Sequence, residues 1–413
     1  MNSPAPASTG DGCEPGQGGV PGPPLGNLVC GQDLARIPSL VSDWATDHWS
    51  LLAITAAVLV VLRLTWAYTR RRNWRTHATS ACWLEITPPV TATPIATIGL
   101  WRLLATLLPA PRRCTLRPAR LVWEVAATPN GTRCGLWAPP GVNPTAVRRV
   151  LQRAWPGARI EQTSPPQPSA PRSIAGLALR PTIPEAMPLL DDHTPARRNQ
   201  PTSDTADQLR AVFDALAAAG RTGGGLLQII VGRAPRHRVA AMRRASINPR
   251  RPRRSQGSAR AAGLLAAGLR GMLLAVLDFV TPGPGRNTTP HLHSGDSHLA
   301  DLARQARVKA SGAPHLLVAI HATATGPTPA AAKAAAADIT SGFGLVSAHL
   351  TRRRLRRPRR TCADRWAPEH RMTLMTVTET AALAGLPAEP AAYGLPQAAS
   401  RRRPAGRDTW CTP

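Results

Sequence analysis

The chain has 413 residues, enough for two or three small domains, and carries 51 Lys and Arg against 23 Asp and Glu, a net charge of +28. That imbalance calls for an anionic partner, either nucleic acid or an anionic lipid surface, and it leaves few carboxylates for acid–base catalysis. Only Lys309 and Lys333 are lysines; GC-rich coding explains the choice of arginine but not the shortage of acids that would balance it.

Residues 1–48 are rich in Pro, Gly and Ser and read as a disordered outer tail. Cys13 and Cys30 lie in it and are either paired or free thiols; the seven cysteines of the chain form no C-x-x-C or zinc pattern. Residues 49–69 read as a transmembrane helix. Leu51 to Leu62 are almost wholly apolar, Trp49 brackets one end, and Trp66 and Tyr68 bracket the other. Arg63 can snorkel to the interface, and Arg70, Arg71 and Arg72 follow. The preceding flank offers Arg36 against Asp33, Asp43 and Asp47. The positive-inside rule then places the N-terminus outside and the bulk of the chain in the cytoplasm. The rival reading is a buried core helix, since the strictly apolar run is short for a span.

Residues 70–162 read as a cytoplasmic α+β module. Ile95, Ile98, Leu100, Trp101, Leu104 and Leu107 form a helical apolar face. Leu121–Val125 and Cys134–Ala138 read as strands joined by a hairpin at Asn130-Gly131. Pro144 opens a helix with Val147, Val150 and Leu151 on one face, Pro156-Gly157 stops it, and Arg159–Glu161 begins another strand. Residues 163–208 read as a Pro/Ser-rich linker holding one short apolar piece, Ile174–Leu179.

Residues 209–360 repeat the plan: strands at Leu226–Val231 and His315–His321, then an alanine-rich helix opened by Pro327-Thr328-Pro329. Between the strands lies a basic insertion, 233–314, with an apolar helix over Ala261 to Val280. Arg270 and Asp278 favour a buried or membrane-surface helix there over a second span. Residues 361–413 read as a C-terminal tail. The expected fold is α+β: one transmembrane helix followed by two small ββα-type, ferredoxin-like modules with disordered tail and linkers.

No phosphate-binding loop, nucleophile elbow or zinc-protease motif is present, so the chain reads as a non-enzyme without a cofactor. His291, His293, His298 and Asp296 form a loose cluster in a polar loop, read as solvated rather than metal-binding. The candidate anion- or DNA-binding residues are the arginine clusters: Arg250, Arg251, Arg253 and Arg254, and Arg352, Arg353, Arg354, Arg356 and Arg357. Each can engage DNA phosphates or lipid headgroups. The second cluster follows the alanine-rich helix, where cations complement the negative end of its dipole.

Several phrases together carry a resemblance. They are Trp83–Pro89, Gly99-Leu100-Trp101, Leu121–Val125, Leu136–Gly141, Ala154–Ala158 and Met375–Pro387. In this order they resemble the N-terminal half of the FtsK-like coupling ATPases of actinobacterial conjugative transfer. In that family a RecA-like motor follows; here the chain stops at Pro413, where that motor would begin. The resemblance therefore implies a motor-less coupling component of conjugation or type IV secretion at the cytoplasmic membrane. It would dock a separately encoded translocation ATPase or the transferred DNA, and self-association is open. The alternatives are a membrane-tethered non-specific DNA-binding protein and a remnant of a truncated coupling ATPase.

Overall fold

The computed structural model describes residues 47–111, 118–166, 173–190, 208–247 and 297–398. The chain divides into two compact units at Arg71/Arg72, and each is described by itself.

The described part of the first unit is helical. Helix α1 (Trp49–Ala78) begins there. Leu51, Ile54, Val58–Leu62 and Leu64 are each more than half exposed. A core helix hides such residues, so the buried-helix reading fails. The helix is long and apolar enough to cross a membrane.

The second unit opens on the last residues of α1. The first half of its sheet region contains β1 (Cys82–Thr87), α2 (Pro94–Leu107), β2 (Arg120–Thr128), β3 (Gly131–Ala138), α3 (Pro144–Ala154) and β4 (Arg159–Thr163). The second half contains β5 (Ser173–Pro181), α4 (Arg210–Thr222), β6 (Gly224–Arg233), α5 (Arg236–Ile247), α6 (Ser297–Ser311), β7 (His315–Gly326), α7 (Pro329–Ser341) and β8 (Leu350–Arg354). Then come α8 (Pro358–Ala363), β9 (Thr373–Thr376) and α9 (Val377–Leu383).

Local chemistry accounts for many of these boundaries. β2 and β3 join through Pro129 and Asn130, and Gly131 enters the returning strand with φ of +117°, a value that favours glycine. Pro144 occupies the first turn of α3 while the Asn143 carboxamide oxygen accepts from the Thr145 and Ala146 amides. Thr328 caps α7 in the same way ahead of Pro329. Asn143→Ala should therefore lower stability by about 1 kcal/mol, read as a shifted urea midpoint with unchanged slope.

All nine described strands lie in one antiparallel sheet, in the order β4-β1-β3-β2-β6-β7-β5-β8, with β9 paired to the start of β7. The class is thus mixed α+β, as expected. The first half runs strand, helix, strand, strand, helix, strand; the second follows the same plan with α5 and α6 inserted between its middle strands, and the internal strand order is the same. The halves meet where β2 pairs β6 from Arg120↔Gly232 to Ala127↔Gly225, with Glu124↔Gln228 at the middle. The two anticipated modules therefore share one sheet. β2 and β6 are buried almost end to end, and an apolar strand of that kind needs a neighbour on each edge.

One face of the sheet carries Leu84, Trp123, Leu136, Ile229, Val318 and Ile320 against α2, α3, α4, α7 and α9. On the other face Trp83, Val122, Trp137, Ile230, Leu317 and Ala319 meet Trp74 of α1, Met242 of α5, Ala306 and Ala310 of α6, and Trp366. Trp74 packs between Trp137 and Trp366, with ring centroids 5.6 and 5.3 Å away.

Three expectations need correction. The linker 163–208 contains β5, which lies between β7 and β8. The tail 361–413 supplies part of α8 together with β9 and α9, which is held by a capping box between Thr376 and Glu379. Arg352–Arg354 do not end a helix: α7 closes at Ser341, and these arginines form the edge strand β8.

Candidate anion-binding surface

The strand registers align one row of residues straight across the second face of the sheet. From edge to edge it reads Glu161, Glu85, Gly135, Glu124, Gln228, His321, Ala178 and Arg353. The β2–β6 seam divides this row into two halves of opposite character.

The first half is acidic and paired. Arg159 Nε donates to Glu161 at 2.6 Å. Arg133 grips Glu85 through two nitrogens at 2.8 and 2.6 Å, and Thr163 Oγ1 donates to the same carboxylate at 2.9 Å. The hydrogen bond from Arg133 holds the Glu85 carboxyl below its ordinary range, against the opposing effect of burial. The Arg133 guanidinium also stacks 4.8 Å from the Trp83 ring. Gly135 makes room there, since a Cβ would stand 2.6 Å from that ring and from the Leu84 carbonyl oxygen. Glu124 is fully buried and receives Arg365 in a fork at 2.7 and 3.0 Å plus the Gln228 amide at 2.7 Å. Arg365 takes φ of +48° and lies 5.6 Å from the Trp137 ring.

The second half is basic and uncompensated. His321 is buried, and among the described residues its Nδ1 has no hydrogen-bond partner; the Oε1 of its row neighbour Gln228 has none there either. Burial first, then the charges of Arg180 and Arg371, push the His321 imidazole down to about 4. Arg180 is itself lowered by burial and by the nearby Arg371 and Arg353. Asp364 binds Arg75 at 2.8 Å, and Glu185 binds Arg238.

The structure separates the sequence-predicted arginines. Arg352, Arg353, Arg354, Arg356 and Arg357 are all exposed, and none has an ion pair among the described residues. Alternation along β8 puts Arg353 on the side of His321. Arg352 and Arg354, opposite Leu179 and Leu177, fall on the other side. Arg356 and Arg357 lie in the turn to α8, Arg357 with φ of +52°. Exposed Arg359 and Arg360 continue the basic surface along α8. Arg250, Arg251, Arg253 and Arg254 lie outside the described residues, as do Cys13, Cys30, the apolar stretch 261–280, His291, His293 and Asp296. Trp49 is exposed at the start of α1, Arg70 and Arg71 are half-buried, and Arg72 is exposed.

Among the described residues no group of three His, Cys, Asp or Glu side chains is arranged for a metal. Cys134 and Cys362 are buried, and burial raises both thiols, Cys362 to about 12, so neither is a thiolate nucleophile at neutral pH. One of the two lysines has a structural role. Lys309 Nζ donates to Met187 O at 2.8 Å and lies 3.1 Å from Glu379, both side chains almost wholly buried.

His321, Gln228, Glu124 and Arg180 escaped the sequence reading. A signal existed for the first. In His315–His321 the period of two puts both histidines on the face of Leu317 and Ala319, so each is a polar group in an apolar setting. His315 answers the demand by bonding Lys309 O at 2.9 Å; His321 has no such bond at Nδ1. Compared with known protein families and with curated proteins, the chain matches none.

Proposed function

We propose that this chain is a membrane-anchored docking scaffold that holds DNA at the cytoplasmic face of the membrane. The observation that carries the reading is the exposed, unpaired arginine surface of β8 and the turn into α8. Arginines clustered without acids attract a polyanion and release its counterions on binding. The exposed apolar helix α1 supports an anchor, and Arg70–Arg72 after it support an outer N-terminus and a cytoplasmic bulk. The cytoplasmic region is read as two ferredoxin-like modules fused through their second strands, supported by the strand order common to both halves. The resemblance to coupling ATPases supplies the setting, conjugative transfer or type IV secretion, with a separately encoded ATPase as motor and self-association as the assembly mode.

The test uses the full chain in nanodiscs of neutral lipid. Fluorescence anisotropy with a short DNA duplex should give a Kd that rises steeply with salt, each phosphate contact contributing about 0.9 to the logarithmic slope. Replacing Arg352, Arg354, Arg356 and Arg357 together by Gln should weaken binding by about tenfold or more and flatten that slope. Unchanged affinity and slope in this variant would remove the basis of the reading. Binding only when anionic lipid replaces neutral lipid and DNA is absent would assign the surface to headgroups.

A further inference from the structure

We propose that Arg180, Arg353 and Arg371, gathered around His321 on the second face of the sheet, form a site for a single phosphate group. The inference goes beyond the DNA-docking surface: Arg180, Arg371 and His321 belong to no exposed arginine run, and of the sequence-predicted residues only Arg353 takes part.

The polar row is asymmetric. The two halves share a strand order, and the row crosses both at matching places, Glu161, Glu85 and Gly135 opposite Arg353, Ala178 and His321. In the first half Glu161 and Glu85 each have an arginine partner. In the second half the corresponding charge is Arg353, Arg180 lies on the same face of β5, and among the described residues neither these two nor Arg371 has a carboxylate partner. Arg180 is half-buried among like charges, an arrangement that raises the energy of the empty site. A dianion or monoanion with tetrahedral oxygens would relieve that repulsion and accept several guanidinium hydrogen bonds at once.

The second observation is independent of charge. His321 is 6 % exposed, yet among the described residues its Nδ1 has no hydrogen-bond partner, and Gln228 Oε1 beside it has none there either. Buried polar atoms are nearly always paired, and exceptions mark sites that something else completes. Charging His321 would supply a further donor to an oxyanion. The roof of this region is the segment after β8: Pro358 lies over Gly176, where a Cβ would stand 2.7 Å from it, and the Cys362 carbonyl accepts from Gln228 Nε2 at 3.0 Å. Arg371 is exposed, and its charge acts on both Arg180 and His321.

The phosphate has two sources, a free phosphate or the phosphodiester of DNA. The full chain in micelles, with labelled histidine, is titrated with inorganic phosphate while the imidazole signals are followed by NMR, His321→Asn giving the assignment. The expected result is a saturable shift of the His321 signal and an upward move of its protonation midpoint, neither reproduced by sodium chloride at equal ionic strength. Arg371→Gln, at an exposed position, and Arg180→Gln should each weaken the phosphate response by about tenfold. Arg352→Gln with Arg354→Gln should leave it intact. Repeating the titration with a short duplex identifies the source: a duplex that moves the His321 signal places a backbone phosphate in the site, and one that leaves it unmoved reserves the site for free phosphate. No saturable shift with inorganic phosphate, or an identical shift in both Arg371→Gln and Arg180→Gln, overturns the proposal. Absence of DNA binding by the unsubstituted chain, with an intact phosphate response, would sink the docking reading and leave this one standing.

Discussion

Arg365→Ala should lower the unfolding free energy by about 3–5 kcal/mol, the cost of leaving one member of a buried ion pair alone. Glu124 is fully buried at the middle of the sheet, and Arg365 is its cationic partner, itself 11 % exposed. Without the fork, the Gln228 amide is the remaining bonded donor to that carboxylate among the described residues. Two controls separate charge from packing. Arg365→Lys keeps the charge but loses the planar fork and its place by Trp137, so it should recover only part of the loss. Glu124→Gln combined with Arg365→Met removes both charges and should be much milder than Arg365→Ala, because no uncompensated charge is then buried. Urea unfolding of the full chain in micelles, followed by tryptophan fluorescence, reads all three. A loss below about 1 kcal/mol for Arg365→Ala, the level of an exposed pair, would show that water reaches Glu124.

Acid should cost the native state about 3 kcal/mol through His321 alone. Its imidazole titrates near 4 when folded and near the ordinary value of 6.5 when unfolded. Between those values the unfolded chain binds the extra proton, so stability falls as pH falls. The contribution is complete above about pH 6.5 and gone near pH 4. His315 is also lowered, chiefly by burial, and adds a loss of the same sign. The groups that hold His321 neutral are Arg180 and Arg371 along with burial itself. His321→Gln should therefore flatten the stability profile between pH 7 and pH 4, measured by urea unfolding in buffers free of phosphate. If the variant falls as steeply as the parent over that range, His321 is not the titrating group.

The first half of the sheet was largely legible because its signals are local. Proline at the first turn of α3, a turn before Gly131 and the apolar run around Trp123 each act within a few residues. The piece Ile174–Leu179 stands out as apolar within the Pro/Ser-rich stretch 163–208, but nothing local marks it as part of a sheet. Its neighbours β7 and β8 lie more than a hundred residues away, and no local pattern announces such a pairing. β9 and α9 were missed likewise, although Thr376 and Glu379 carry the spacing of a capping box. The arginines of β8 were visible as a cluster, but their division between two sides of an edge strand depends on register. His321 and Gln228 looked like ordinary strand residues, since a polar side chain in a strand becomes informative only when its face is known to be buried.

By itself the sequence determined the apolar, tryptophan-bracketed helix, the excess of arginine over acid, the α+β class and the hairpin and helix starts of the first half. These follow from composition and from chemistry within a few residues of chain. The tertiary structure decided that two halves with one strand order join through β2 and β6 in a single sheet. It also decided that one row across that sheet runs from paired glutamates through a buried histidine to Arg353, with Arg180 on the same face. Those facts rest on pairings between distant segments, where backbone hydrogen bonding and burial of both edges of β2 select the partner.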